Sequence, residues 1–312
     1  MTGASITNTS ITNTSITNTS ITNTSIAPSN RAGDNTTGVL QRGPDVPVQR
    51  GPDVPILMYH EITTTPRSAG RLAVTPDNFA RQLAYLAEHD YHGLSAGQFA
   101  AAIGAGGGPL PPRSVVLTFD DGFADFHDVA LPLLREHGFT ATLYVTSGWV
   151  AGRGRRCRGA PSGMLSWDQL RSVASAGIEI GGHSLSHPQL DQLPPESLRQ
   201  ELTWCKSEIE DQLGTPVTGV AYPFGYSSRL VRATAACVGY EYGCVVGNRL
   251  ARYGGDVFAL PRLTIAAATR RSGFARAVTA GQLAPAFARY RLLTKGFAVI
   301  RRARSAKNRI VR

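Results

Sequence analysis

Two adjacent carboxylates, Asp120 and Asp121, close the apolar run Val115-Val116-Leu117-Thr118-Phe119 just ahead of Gly122. Carboxylates at the end of a buried strand need a cation or a proton to offset their desolvation, although Asp-Asp-Gly alone is also a common turn. A second cluster follows Ile178-Glu179-Ile180-Gly181-Gly182, where His183 and His187 are separated by three residues and followed by Pro188. If this segment makes one helical turn, both imidazoles face one point, and the proline turns the chain out of the helix. Two histidines and an aspartate with open coordination positions compose a catalytic zinc site; a pair of surface histidines in a loop is the competing reading. The third cluster is Tyr222-Pro223-Phe224 with Gly225, at the end of Gly219-Val220-Ala221. Its rings can wall a sugar pocket and its backbone can present an N–H to a developing negative charge, while core packing and a turn explain it as well.

These groups must be held by strands and helices in alternation. Short apolar runs predict strands at Ile56 to Tyr59, Ser114 to Phe119, Thr140 to Thr146, Ile178 to Ile180, Gly219 to Tyr222 and Tyr242 to Val246. Thr75-Pro76 reads as a cap and first helical position for a helix through His89, and Ser166-Trp167-Asp168-Gln169 as a capping box opening a helix through Ala176. Further helices are expected over Asp128 to His137, Glu196 to Leu213 and Arg229 to Val238. Strand and helix alternating in this way imply parallel β/α units. Because the reactive residues fall at the ends of several different strands, a barrel is favoured over an open doubly wound sheet, and no GxGxxG follows the first strand. His60 closes the first of these strands; His89, His92, His127 and His137 lie outside the clusters.

The chain has 312 residues, 42% of them hydrophobic, which is ample for a packed core. Its formal charge of +10 is concentrated in the tail: Arg270 to Arg312 holds twelve Lys and Arg and no Asp or Glu, so the remainder is slightly acidic. No nucleic-acid recognition motif accompanies that charge, and no nucleic-acid partner is expected. Cys157, Cys205, Cys237 and Cys244 show no CxxC spacing and read mainly as buried free thiols, with a Cys237–Cys244 pair conceivable in an exported chain. Neither an apolar run long enough to span a membrane nor a signal-like leader is read, which places the chain in the cytoplasm unless another route carries it to the envelope. Residues 1–54 are expected to be a disordered repeat and linker, built from tandem Ser-Ile-Thr-Asn-Thr units and a duplicated Gln-Arg-Gly-Pro-Asp-Val-Pro segment. Residues 55–272 are expected to form the catalytic domain and 273–312 a basic helical tail. In that tail Phe287, Tyr290, Leu293, Phe297 and Ile300 form a stripe, with Arg289, Arg291, Lys295 and Arg302 off it. Such a helix either lies on an anionic membrane surface or docks its stripe on the barrel.

Thr118-Phe119-Asp120-Asp121-Gly122, His183 to His187 and Ala221 to Gly225, together with Leu57-Met58-Tyr59-His60, Leu165-Ser166-Trp167 and Leu260-Pro261-Arg262, resemble the polysaccharide deacetylase family with the NodB homology domain, carbohydrate esterase family 4. The resemblance runs from about Pro55 to Ile265 and implies a distorted (β/α)7 barrel. It implies Asp120 as general base, Asp121, His183 and His187 as ligands of a divalent metal, most simply Zn2+, and the Phe224 N–H as an oxyanion donor. The family's third motif usually begins with Arg, and Ala221 stands there; Arg262 is the candidate to orient Asp120 instead. The family's late Leu-x-His acid is missing, since no His follows His187. His60 resembles the corresponding residue of a permuted subgroup that includes poly-N-acetylglucosamine deacetylases, which implies a general acid at the front of the domain. The implied substrate is an acetylated glycan, with N-deacetylation of N-acetylglucosamine-type units as the main reading. O-acetyl ester hydrolysis on xylan and a non-catalytic carbohydrate-binding barrel are the alternatives.

Overall fold

The computed structural model describes residues 51–279, apart from 52, 67–69, 105–106, 153 and 155–156. The N-terminal repeats and the aromatic stripe of the tail lie outside the described residues.

In chain order the elements are β1 (Ile56–Tyr59), α1 (Pro76–Glu88), β2 (His92–Leu94), α2 (Ala96–Ile103), β3 (Ser114–Phe119), α3 (Leu131–Glu136), β4 (Thr142–Val145), α4 (Trp167–Ser175), β5 (Glu179–Gly182), α5 (Pro195–Leu213), β6 (Gly219–Ala221), α6 (Arg229–Val238), β7 (Tyr242–Val246), β8 (Leu260–Thr264) and α7 (Arg271–Val278). Seven strands, β1 and β3 to β8, pair in parallel around a closed barrel, because β1 bonds both β8 and β3. This is the (β/α)7 barrel that the family resemblance implies. β2 lies on the same edge of β3 as β1 but lower: His92 to Leu94 pair with Ser114 to Val116, and Ile56 to Tyr59 pair with Val116 to Phe119.

The period of two along each strand sorts side chains into two cores. Leu57, Tyr59, Val115, Leu117, Phe119, Leu143, Val145, Val220 and Leu263 face outward and pack against the helices, including Phe79 and Leu83 of α1 and Leu198, Leu202 and Ile209 of α5. Ile56, Val116, Tyr144, Ala221, Tyr242, Cys244 and Leu260 face inward, where Phe99, Ala100 and Ile103 of α2 plug the end at which the strands begin. Each fully buried aromatic of this kind contributes about 2–3 kcal/mol through the surface it removes from water. Tyr144 and Tyr242 fit inside because glycines face them. A Cβ on Gly181 would stand 2.4 Å from the Tyr144 ring, and one on Gly219 would stand 2.1 Å from that of Tyr242.

The local signals act as the sequence implies in most places. Thr75 accepts the Asn78 N–H with Pro76 opening α1, and Ser166 and Gln169 form a reciprocal capping box at α4. Four elements differ. β2 and α2 were not expected, nor were β8, which carries Pro261 between two neighbouring strands, and α7, whose Phe274 packs on Tyr85 of α1. α7 also crosses residue 272, where the sequence suggests the end of the catalytic domain. The helix expected from Asp128 begins instead as a π-turn over Phe126–Ala130. All four cysteines are unpaired: Cys205 and Cys244 are buried, Cys157 is half-buried and Cys237 exposed. No helix among the described residues is long and apolar enough to cross a membrane.

Candidate metal centre and active site

The alternation that builds the inner core also builds the site. Continuing β1, β3 and β5 by one residue each brings His60, Asp120 and His183 inward at the barrel mouth, where the strands end, and Arg262 points inward from within β8. Asp121 comes next in the chain and should face outward, yet its backbone turns into the left-handed region, φ 75°, and swings the carboxylate back to the mouth. His187 and Ser184 are left-handed as well, φ 60° and 63°, so the His183–His187 segment is a tight loop and not the helical turn considered from spacing. The Ser184 hydroxyl accepts the His187 N–H at 3.0 Å. Glu201 of α5 clamps the same loop, accepting the Ser186 N–H at 2.9 Å and its hydroxyl at 2.5 Å. Non-glycine residues in such conformations cost about 1–3 kcal/mol each and persist where the surroundings enforce them.

Asp121 Oδ1 lies 3.4 Å from His183 Nε2 and 3.4 Å from His187 Nε2, and the three ligand atoms lie within 4.8 Å of one another. His183 is 1% exposed, and its Nδ1 donates to the Ala221 carbonyl at 2.7 Å. In the neutral ring this leaves a lone pair on Nε2 directed at a carboxylate oxygen that is itself buried without a hydrogen-bond partner. Two lone-pair carriers at that distance are held together by a shared cation or a proton, and an aspartate with two imidazoles is a donor set that Zn2+ and related divalent ions accept. The residues present therefore fit the implied metal. Burial opposes ionisation of Asp121, but contact with His183 and the charges of His60 and His187 outweigh it and hold the carboxyl far below the usual range. Burial also lowers His187, and with the neighbouring His183 it brings the pKa down to about 4, which keeps the ring neutral for ligation. For His183 the carboxylates of Asp120 and Asp121 overcome burial and raise the pKa.

Asp120 is 3% exposed and Arg262 is wholly buried. They form a two-pronged pair, Nη1 to Oδ1 at 2.6 Å and Nη2 to Oδ2 at 2.7 Å, with Nη1 also donating to Thr118 Oγ1 at 3.3 Å. Burial would raise the Asp120 pKa; the Arg262 and His183 charges and the hydrogen bonds from Arg262 more than reverse this, so the carboxylate stays ionised. The guanidinium lies 5.6 Å from the ring of Tyr144. Asn248 holds this part of β8 in register, its side chain accepting the Thr264 N–H and its own N–H donating to the Arg262 carbonyl, each at 2.9 Å. His60 is half-buried at the end of β1, with Nδ1 buried and unpartnered, close enough for its charge to act on Asp120, Asp121 and His187.

The third cluster divides. Phe224 stands at the rim, 49% exposed at φ 60°, with its ring 4.7 Å from that of His187. Among the described residues its N–H donates to no protein acceptor. Pro223 is buried in the turn beneath it. Tyr222 corrects the expectation of a substrate wall. It follows the outward-facing parity of Val220, is 0% exposed, and its phenol donates to the Phe258 carbonyl at 3.1 Å, so its ring packs between barrel and helices. Sequence reasoning missed Glu201, Ser184 and Asn248, whose contacts depend on the folded loop. Only Asn248, a residue type that tolerates the left-handed region, carried a local hint.

A family profile described as polysaccharide deacetylase matches residues 107–243. Over that stretch the chain resembles the polysaccharide deacetylase family. The matched stretch includes Asp120, Asp121, His183, His187 and Phe224, while His60 and Arg262 come from the flanking strands β1 and β8 that complete the barrel. YxkH of Bacillus subtilis, whose name places it among polysaccharide deacetylases, is 25% identical over 219 residues, covering 70% of this chain and 74% of its own length. The poly-beta-1,6-N-acetyl-D-glucosamine N-deacetylase of Escherichia coli K12 is 27% identical over 135 residues, 41% of this chain, and the match spans only 20% of that larger protein. Among solved structures, the Streptococcus pyogenes deacetylase PplD in complex with acetate superimposes with a TM-score of 0.66 at 26% identity, covering 73% of this chain and 99% of that one. IcaB from Ammonifex degensii shares the fold, with a TM-score of 0.64 at 22% identity, covering 74% of this chain and 99% of that one.

Proposed function

We propose that this deacetylase domain removes N-acetyl groups from glycans containing N-acetylglucosamine-type units, by attack of water on the acetyl carbonyl. The observation that carries the reading is the meeting of two differently prepared carboxylates at one point. Asp121 shares an orphaned oxygen with two imidazoles, and Asp120 is clamped and ionised beside it. The names of the relatives that deacetylate poly-N-acetylglucosamine, chitin and chitooligosaccharides support the same substrate class, as does acetate in the PplD structure.

Asp121, His183 and His187 would hold a divalent cation, which would supply electrophilic activation of the acetyl carbonyl and acidify water. Asp120 takes the proton from the attacking water, and Arg262 holds both of its oxygens so that the carboxylate is in place before substrate arrives. The Phe224 N–H donates to the oxygen on which negative charge develops. His60 gives a proton to the departing amine nitrogen, a role that its inward position at the mouth of β1 permits. Ala221 contributes through its carbonyl, fixing the tautomer of His183.

The test is mass spectrometry of N-acetylglucosamine oligomers after incubation with the full chain, alongside metal analysis. Loss of acetyl mass units by the wild type, with Asp120→Asn inactive while keeping its metal, supports the assignment. Release of acetate from acetylated xylan but not from the amino-sugar oligomers would replace amide hydrolysis by ester hydrolysis.

A further inference from the structure

The two histidines of the metal centre are oriented by different means. His183 has its second ring nitrogen bonded to the Ala221 carbonyl, the usual way in which a ligand histidine is aimed. Among the described residues, His187 has no comparable acceptor. Its ring instead lies 5.0 Å from that of Trp149, tilted by 31°, and 4.7 Å from that of Phe224 in an edge-on arrangement at 63°. Both geometries lie in the range in which aromatic pairs attract beyond simple burial.

We propose that Trp149 and Phe224 are positioning residues that hold the His187 imidazole for metal binding, doing for it what a backbone hydrogen bond does for His183. The proposal rests on the metal-centre reading above. It gives a role to two aromatic side chains that the reaction itself does not use. Phe224 is a bulky, half-exposed residue kept in the left-handed region, φ 60°, which L side chains rarely adopt. That backbone conformation places its ring against His187. Trp149 closes the short turn Ser147–Trp149 after β4, and this turn is tied directly to the histidine loop by the Gly148 N–H, which donates to the Leu185 carbonyl at 2.9 Å. Only glycine allows that approach, because a Cβ at position 148 would stand 2.5 Å from the same carbonyl oxygen. The turn carrying Trp149 and the loop carrying His187 are thus built as one unit.

The experiment is a Zn2+ titration of the full chain, stripped of metal, in competition with a chromophoric chelator. The Co2+ absorption spectrum of the same proteins reports coordination geometry, and a thermal melt reports folding. Phe224→Ala and Trp149→Leu are each expected to weaken Zn2+ binding about 10-fold, and the double variant up to about 100-fold, with an altered Co2+ spectrum. Trp149→Phe, which keeps a ring, should stay near wild type. Wild-type Zn2+ affinity in both Phe224→Ala and the double variant overturns the clamp while leaving the metal centre intact. A wild-type chain that binds no Zn2+ overturns the metal-centre reading and the clamp with it. Should Trp149→Leu fail to fold, the exposed position of Phe224 keeps Phe224→Ala decisive.

Discussion

The two ends of the barrel differ in how their buried polar groups are satisfied. At the end where the strands begin, Glu179 accepts hydrogen bonds from Thr142 Oγ1 at 2.6 Å, Tyr242 OH at 3.0 Å and the Gly97 N–H at 2.9 Å, and α2 starts with a complete capping box between Ser95 and Gln98. At the mouth, Asp121, Ser184, His187 and Phe224 are all left-handed, and buried polar atoms of His60, Asp121 and Arg262 lack partners. A chain gains no stability from such an arrangement. The mouth holds groups ready for something outside the protein, and the opposite end supplies the rigidity that keeps them there.

The sharpest way to break this contrast is at the triad. Asp121→Ala or His183→Ala should abolish stoichiometric divalent metal and all deacetylation, while the thermal midpoint of the metal-free protein moves little. Elemental analysis and a melt check both, and a variant that keeps full metal would show the ligands to be misassigned. His60→Ala comes next, with turnover expected to fall by about 10² to 10⁴-fold, as loss of a general acid does, and with metal content unchanged. A drop of only a fewfold would hand the proton transfer to water.

Much of the contrast is visible in the sequence, because Asp120, Asp121, His183 and His187 sit at the ends of strands whose apolar runs are unmistakable. The fold class follows from the same alternation. What escapes is physically specific. His92-Gly93-Leu94 is too short and too polar to read as a strand, and α2, Ala96–Ile103, has small residues on most of its faces, so its burial leaves no clear stripe. Leu260-Pro261-Arg262 hides β8 because proline and a charge argue against an inner strand; yet Arg262 is neutralised by Asp120. Tyr222 was misread for the opposite reason, since a motif gives residue types but not the parity that turns its ring outward.

The opposite end should respond in stability and not in chemistry. Phe99→Ala in the α2 plug is expected to cost about 3–5 kcal/mol in denaturant unfolding, with Zn2+ affinity of the folded protein unchanged. Weakened metal binding alongside the lost stability would mean that the two ends are coupled. The smallest effect concerns Glu210, which accepts from Lys206 Nζ at 2.7 Å and from the Val217 N–H at 2.9 Å just before β6. Partial burial works against its charge, but these bonds prevail and lower its pKa. A carboxyl lowered on folding contributes stability above its unfolded pKa and loses it as pH falls through the folded value. Glu210→Gln should therefore cost up to about 1 kcal/mol at pH 7, and the difference from wild type should shrink as unfolding is measured at progressively more acidic pH.

The closure of the barrel sets an order of assembly. Of the barrel strands β1 is synthesised first, yet it is seated between β3 and β8, and Leu57 pairs with Leu263 near the other end of the described chain. Contacts so distant in sequence form slowly, and on a ribosome they wait for the last strand to emerge. A nascent chain ending before β8 already contains Asp120, Asp121, His183 and His187 but lacks Arg262, which pairs with Asp120. The mouth is therefore completed at the same moment as the fold, and a half-made chain has the Asp121, His183 and His187 cluster before Asp120 has the partner that holds it.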